Sequence, residues 1–156
     1  GLCRTYDFLV SANEVMTQHG ISLPLANQGT TDENTRFDHG LAKQVSLFGE
    51  GMARVQTEGP ALRRNINRWL AANCFGDYYT RTGLDLKQRE MITFCFLAAQ
   101  GDCEPQLTSH AKGNMNLGSD KAFLIRVVSQ CLPYIGYPRS LNAISCINKA
   151  AEEMGR

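Results

Sequence analysis

Apolar residues recur at helical spacing along most of the chain, and glycine or proline closes each run. Leu2 to His19 sets Phe8, Leu9, Ala12, Val15 and Met16 on one side and stops at Gly20. A polar connector follows to Thr35, with Gly29, Thr30, Thr31, Asp32 and Asn34 as loop residues. Phe37, Leu41, Val45 and Phe48 then mark a short amphipathic helix, broken at Gly49 and Gly51. Gly59-Pro60 restarts the chain as a helix through Trp69, Leu70 and Phe75, ending at Gly76, with a turn to Gly83. After Gly118, Ser119 or Asp120 caps a helix of Phe123, Leu124, Val127, Val128 and Leu132. Pro133 to Pro138 forms a rigid elbow, and a last helix from about Arg139 carries Leu141, Ile144 and Ile147 to Gly155. β-Branched residues never alternate over a useful length, so the expected fold is all-α.

The stretch Leu84 to Gly118 organises the rest. Asp85 and Gln88 are spaced as a capping box, and Ile92 to Ala99 is apolar enough to predict a helix buried on most sides. Gly101 ends it. A second helix starts near Glu104, with Pro105 in its first turn, and stops at Gly118. On this second helix Leu107, Ala111 and Met115 form an apolar row facing a core. Cys103, Gln106 and His110 form the neighbouring polar row at i, i+3, i+7. Gln106 and His110 lie within hydrogen-bond reach, whereas Cys103 and His110 are about 10 Å apart along a regular helix axis.

Composition narrows the function classes. The 156 residues suit one domain, or one domain with an arm. A net charge of +1 without a basic face makes nucleic acid an unexpected partner. The longest apolar run, Met91 to Ala99, is too short to span a bilayer, so no membrane contact is expected. No signal-peptide pattern is visible, and six cysteines without CxxC or zinc-finger spacing read as reduced thiols of a cytoplasmic protein. No metal or other cofactor is expected. A weak internal repeat pairs Gly1, Arg4, Asn13 and Gly20 with Gly136, Arg139, Asn148 and Gly155. The first helix and connector, residues 1–35, therefore read as an arm or as the tail of a preceding copy of the domain at 36–156.

Four stretches resemble the carboxymuconolactone decarboxylase family, relatives of alkylhydroperoxidase D. They are RFDHGLAKQVSLFGE, FGDYYTRTGLDLKQREMITFCFLAAQG, EPQLTSHAKGNMNLGSD and QCLPYIGYPRSLNA. The resemblance implies a domain of six or seven helices, associating as trimers or hexamers with the site at a subunit contact. It also implies roles. Cys103 matches the first of the peroxidase branch's two cysteines and His110 its histidine, while Glu90 is the nearest match to its relay glutamate. Gln106 stands where that branch has its second cysteine and the decarboxylase branch a glutamate.

Three functional readings follow. In the first, a decarboxylase acts on a small carboxylated lactone, and His110 is the acid that protonates the carbon losing CO₂. Arg81, Arg89 or Arg139 then holds the substrate's other carboxylate, with Gln106 and Tyr134 as further contacts. In the second, Cys103 is the thiolate of a peroxidase, favoured by its helix N-terminus and opposed by Glu104. In the third, the shell is kept without chemistry. From residues alone, His110 also reads as a helix-edge histidine bonded to Gln106 or a carbonyl, and Cys103 as a small buried hydrophobe. Tyr78, Tyr79, Tyr134 and Tyr137 read as pocket, core or interface residues alike.

Overall fold

The computed structural model describes residues 2–156, and those residues form helices and loops without a strand. In chain order they are α1 (Leu2–Gln18), α2 (Arg36–Phe48), α3 (Gly51–Glu58), a 3₁₀ turn (Ala61–Arg63) and α4 (Arg64–Trp69). A π-helical segment (Leu70–Tyr78) continues α4, followed by α5 (Leu86–Gln100), α6 (Glu104–Asn116) and α7 (Lys121–Glu153). The all-α expectation holds. No helix among the described residues is long and apolar enough to cross a membrane.

Local chemistry sets the ends of the central helices. The Asp85 carboxylate accepts from the Gln88 N–H at 2.8 Å, and the Gln88 side chain accepts from the Asp85 N–H at 3.0 Å. That is the expected capping box, and it satisfies two backbone donors at once. Pro105 sits in the first turn of α6, and Gly118 closes it with φ 83°. Asp120 caps α7 by accepting from Phe123 N–H at 2.6 Å. The expected elbow is a single break: Gly136, at φ 75° and ψ 170°, divides α7 into two helices. Pro138 then falls in the first turn of the second half, where it removes no helical bond.

Two apolar clusters result. The larger joins α5, α6 and α7 through Phe94, Leu107, Ala111, Leu124 and Ile147, each at most 4% exposed. The expected row Leu107, Ala111 and Met115 faces it. The smaller cluster joins α2 to the π segment through Leu47 and Phe75, extended by Tyr79, with Phe48 at its margin. Here the backbones nearly touch: Gly40 lies against the Ala71 carbonyl, and Gly76 against the Arg36 carbonyl. Arg36 also pairs with Asp77 across the same crossing.

Four expectations need correction. The helix expected to end at Gly76 runs on as π-helix to Tyr78, because Gly76 serves the close crossing instead of stopping the helix. The stretch between the Gly49 and Gly59 breaks forms α3, whose MARVQTE residues include good helix formers. Of α5, Glu90, Phe94 and Ala98 are buried, while Phe96 is 69% exposed, because α6 and α7 cover only one side. Leu141 likewise faces outward, and Ala143, Cys146, Ile147, Ala150 and Ala151 bury the second half of α7.

The N-terminal region has two parts. α1 leaves Tyr6, Phe8, Val10 and Val15 exposed. The connector is stitched to the domain: Thr30 donates to the Thr80 carbonyl at 2.9 Å, and Thr82 N–H donates to the Gln28 carbonyl at 3.0 Å. α1 and the second half of α7 end alike, at Gly20 (φ 74°) and Gly155 (φ 66°). Matching backbone bonds close the two ends, Ile21 N–H to Met16 and Arg156 N–H to Ala151, each at 2.9 Å. Gly1, the first residue of the repeat, lies outside the described residues.

Candidate active site

The polar residues with chemistry meet at the seam between the two clusters. Glu90 lies on α5, among Phe94 and its neighbours, and is fully buried. A carboxylate taken wholly out of water needs partners for both oxygens. It has them. His110 Nδ1 is 2.7 Å from Oε1, and the Tyr79 hydroxyl donates to Oε2 at 2.8 Å. Tyr79 also stands 2.6 Å from the Thr93 hydroxyl, one turn along α5 from Glu90.

Second contacts hold this group rigid. Asn114, buried on α6, donates to the carbonyls of Glu90 (3.1 Å) and His110 (2.9 Å), so one amide ties α5 to α6 at the site. The His110 ring stands edge-on to Phe48, with centroids 5.3 Å apart. The Tyr79 ring leans on Phe75 at 4.6 Å. Gly113 leaves the room that the pair occupies: a side chain there would strike Glu90 Oε1 and come within 3.1 Å of the Phe48 ring. Glu90 is sealed, but 15% of the His110 side chain remains open. The imidazole is thus partly accessible where the carboxylate beside it is not.

Electrostatics follow from this burial. The Tyr79 phenol is pushed well above its ordinary value, first by burial and then by the neighbouring Glu90 charge, so it stays protonated and remains a donor. Burial, then the same carboxylate, also raises the Cys74 thiol. With Glu90 charged, its oxygens only accept, so the proton between it and His110 sits on Nδ1. Nε2 is then the imidazole's chemically available nitrogen. The group can carry a proton on His110 and stabilise the resulting cation against a fixed buried charge.

The other expected site residues make other contacts or stay exposed. Gln106 is exposed, and the His110 bond expected from it goes to Glu90 instead. Cys103 is the N-cap of α6, with non-helical φ −142° and ψ 40°, and its thiol donates to the Leu97 carbonyl at 3.4 Å. Burial, then the Glu104 carboxylate and smaller contributions from Cys146 and Asp102, raise that thiol, so the expected help of the helix N-terminus does not prevail. The Arg89 guanidinium is spent on the loop before α5, donating to the carbonyls of Arg81 (2.9 Å), Thr82 (2.8 Å) and Leu84 (3.1 Å). Arg81 is half-buried beside it. Arg139 is exposed at the α5–α6 break, against Gly101, and Tyr134 is 89% exposed. Thr93, Asn114 and Gly113 went unremarked in the sequence. For Thr93 and Asn114 the signal is position, three after Glu90 and four after His110 on otherwise buried faces; Gly113 has no such signal.

The thiols offer a direct check of these environments. Cys95 is pushed up to about 12, first by burial and then by the adjacent Cys131. Alkylation of Cys95 by iodoacetamide is therefore expected to be slow at neutral pH and to speed up about tenfold per pH unit toward that value. Peptide mapping of the folded protein across pH 7 to about 10 measures this.

Comparison with known proteins agrees with this architecture. Residues 65–149 match the carboxymuconolactone decarboxylase family. The 4-carboxymuconolactone decarboxylase of Acinetobacter baylyi strain ADP1 is 23% identical over 125 residues, covering 80% of this chain and 92% of that protein. The match takes in α5, α6 and nearly all of α7, and with them Tyr79, Glu90 and His110; the chain belongs to the carboxymuconolactone decarboxylase family.

Proposed function

We propose that the protein is a decarboxylase of a small carboxylated lactone, with His110 as its general acid. One observation carries this reading: a partly open imidazole is held through Nδ1 by a fully buried carboxylate. Loss of CO₂ leaves its electron pair on the substrate carbon, and that carbon must take a proton. Protonated at Nε2, His110 supplies it and returns to the neutral form, while Glu90 keeps the imidazolium oriented and compensated. The partly open ring then recovers its proton from water. The name of the Acinetobacter relative supports the substrate class.

A second carboxylate on such a substrate needs a cation. Arg139 and Arg81 fill that role here, since Arg89 is occupied with backbone carbonyls. Gln106 and the exposed Tyr134 act as further contacts. In this reading the chains associate as trimers or hexamers, and the neighbouring subunit closes the pocket. Exposed Phe96, Tyr134 and Tyr137 suit such a contact. The peroxidase chemistry is the weaker fit, because its nucleophile would be a Cys103 thiol raised above its ordinary value.

The test separates the two chemistries. The protein is incubated with a carboxylated muconolactone, and CO₂ release is followed beside thiol-dependent consumption of an alkyl hydroperoxide. CO₂ release is expected, and Cys103→Ser is expected to retain it within about twofold, the size of a surface-level perturbation. Hydroperoxide turnover that disappears in Cys103→Ser, without any CO₂ release, overturns the reading.

A further inference from the structure

The two-sided grip on Glu90 carries more than stability. Tyr79 has one hydroxyl proton and two oxygen neighbours, Glu90 Oε2 at 2.8 Å and Thr93 Oγ1 at 2.6 Å. A carboxylate oxygen only accepts, so the Tyr79 proton goes to Glu90. Thr93 must then donate its own proton to the Tyr79 oxygen. The hydrogen-bond chain therefore has one sense: Thr93 to Tyr79 to Glu90, met from the other side by His110 Nδ1–H. We propose that Tyr79, backed by Thr93, is a positioning residue that keeps the shared proton on His110 Nδ1 and off Glu90. The catalytic consequence rests on the decarboxylase reading; the placement of the proton does not.

Consider the site with one proton added. That proton has two resting places. Either His110 is an imidazolium beside a Glu90 carboxylate, or the proton has crossed the 2.7 Å gap from Nδ1 to Oε1. The second state leaves a neutral Glu90 acid donating to a neutral imidazole protonated at Nε2. Only the first holds a cationic acid. The buried surroundings favour the neutral pair, because charge is costly there. A donor on Oε2 favours the charged pair, because it stabilises the carboxylate alone. Tyr79 is that donor, and its own raised value keeps it a donor throughout the working range.

The groups facing the pair are few. The π segment presents Cys74, whose thiol feels the Glu90 charge, and Tyr79 follows as its C-cap. α2 presents the uncharged Phe48 ring, α5 contributes Thr93, and α6 contributes Asn114 through its amide. Ring packing does not account for the hydroxyl. The neighbouring Phe75 fills the same cluster without one.

The test uses Tyr79→Phe, which keeps the ring and deletes the donor. The ¹⁵N signals of His110 are recorded across the acid side of the pH range, beside the pH profile of CO₂ release. In the native protein both ring nitrogens are expected to be protonated together. In Tyr79→Phe, Nδ1 is expected to lose its proton to Glu90 while Nε2 keeps its own. Turnover should fall about tenfold with KM unchanged, the size expected for one hydrogen bond to a charged group. Thr93→Val should move the Nδ1 signal the same way by less, and Thr93→Ser should restore the native pattern. Native ¹⁵N signals in Tyr79→Phe overturn the proposal. If Tyr79→Phe does not fold, Thr93→Val with unmoved signals overturns it equally. Absence of CO₂ release from the native protein would defeat the decarboxylase reading, and the nitrogen signals would still decide where the proton lies.

Discussion

Replacing His110 with asparagine is expected to cut CO₂ release by about 10³-fold, within the range by which a positioned acid accelerates proton transfer. The thermal midpoint should barely move. Asparagine places an amide N–H where Nδ1–H stood, so the buried carboxylate keeps its second partner, but it has no proton to give at neutral pH. Alanine makes a different experiment. It strands the fully buried Glu90 carboxylate with only the Tyr79 hydroxyl, and it removes the ring that packs edge-on to Phe48. Breaking a buried pair from one side costs about 3 kcal/mol. His110→Ala is therefore expected to lose turnover and also to unfold at lower temperature. The comparison separates the chemical role from the structural one. Turnover assays beside thermal melts of both variants measure it. His110→Asn turnover within tenfold of native would remove the imidazole from the mechanism.

How much of this was legible without coordinates depends on how local each cause is. The ends of α5 and α6 were legible because their causes lie within a few residues: the Asp85–Gln88 box, Pro105 and Gly118. The apolar row of α6 was legible for the same reason, since helical period alone sets it. The polar row was not. Helical spacing requires a regular helix from Cys103 onward, but Cys103 caps α6 with non-helical dihedrals and turns its thiol back to Leu97. Gln106, inside the regular helix, is exposed, while His110 one turn on reaches sideways to another helix.

That sideways reach has no signature in spacing. Glu90 and His110 meet because α5 and α6 cross at a particular angle, with Gly113 leaving space at the crossing. The resemblance to a family paired these two residues where periodicity did not. Tyr79 was hidden by a different cause. A helix that ended at Gly76 would leave Tyr79 in a turn, facing nothing in particular. The π-helical hydrogen bonding, seen in Tyr79 N–H donating to the Cys74 carbonyl at 3.2 Å, extends the helix and rotates its last residues inward. Glycine is a common helix stop, which makes Gly76 look like one in the sequence. Its real use is the absence of a side chain against the Arg36 carbonyl, a contact forty positions away in sequence.

The same crossing yields a second large stability change. Gly40→Ala should lower the unfolding free energy by about 3 kcal/mol, the upper end of ordinary overpacking. Alanine is a better helix former than glycine by up to about 1 kcal/mol, so propensity alone predicts the opposite sign. Packing wins because the obstacle is backbone. A methyl at Gly40 would overlap the Ala71 carbonyl oxygen and sit 2.6 Å from the Gly76 amide nitrogen. Neither atom has a rotamer to escape into, so α2 and the π segment must move apart. That displacement carries Phe48 with α2 and Tyr79 with the π segment, two of the walls around Glu90 and His110. The melting midpoint is expected to fall by about 10 °C for a chain of this size, and the ¹⁵N signals of His110 to broaden or shift. Gly51→Ala is the control, because that helical position meets nothing closer than the Arg54 guanidinium at 4.0 Å. It should leave the midpoint unchanged or raise it slightly. A Gly40→Ala protein as stable as the Gly51→Ala one would mean that the two helices can part without cost, and that the smaller cluster does not hold the site in place.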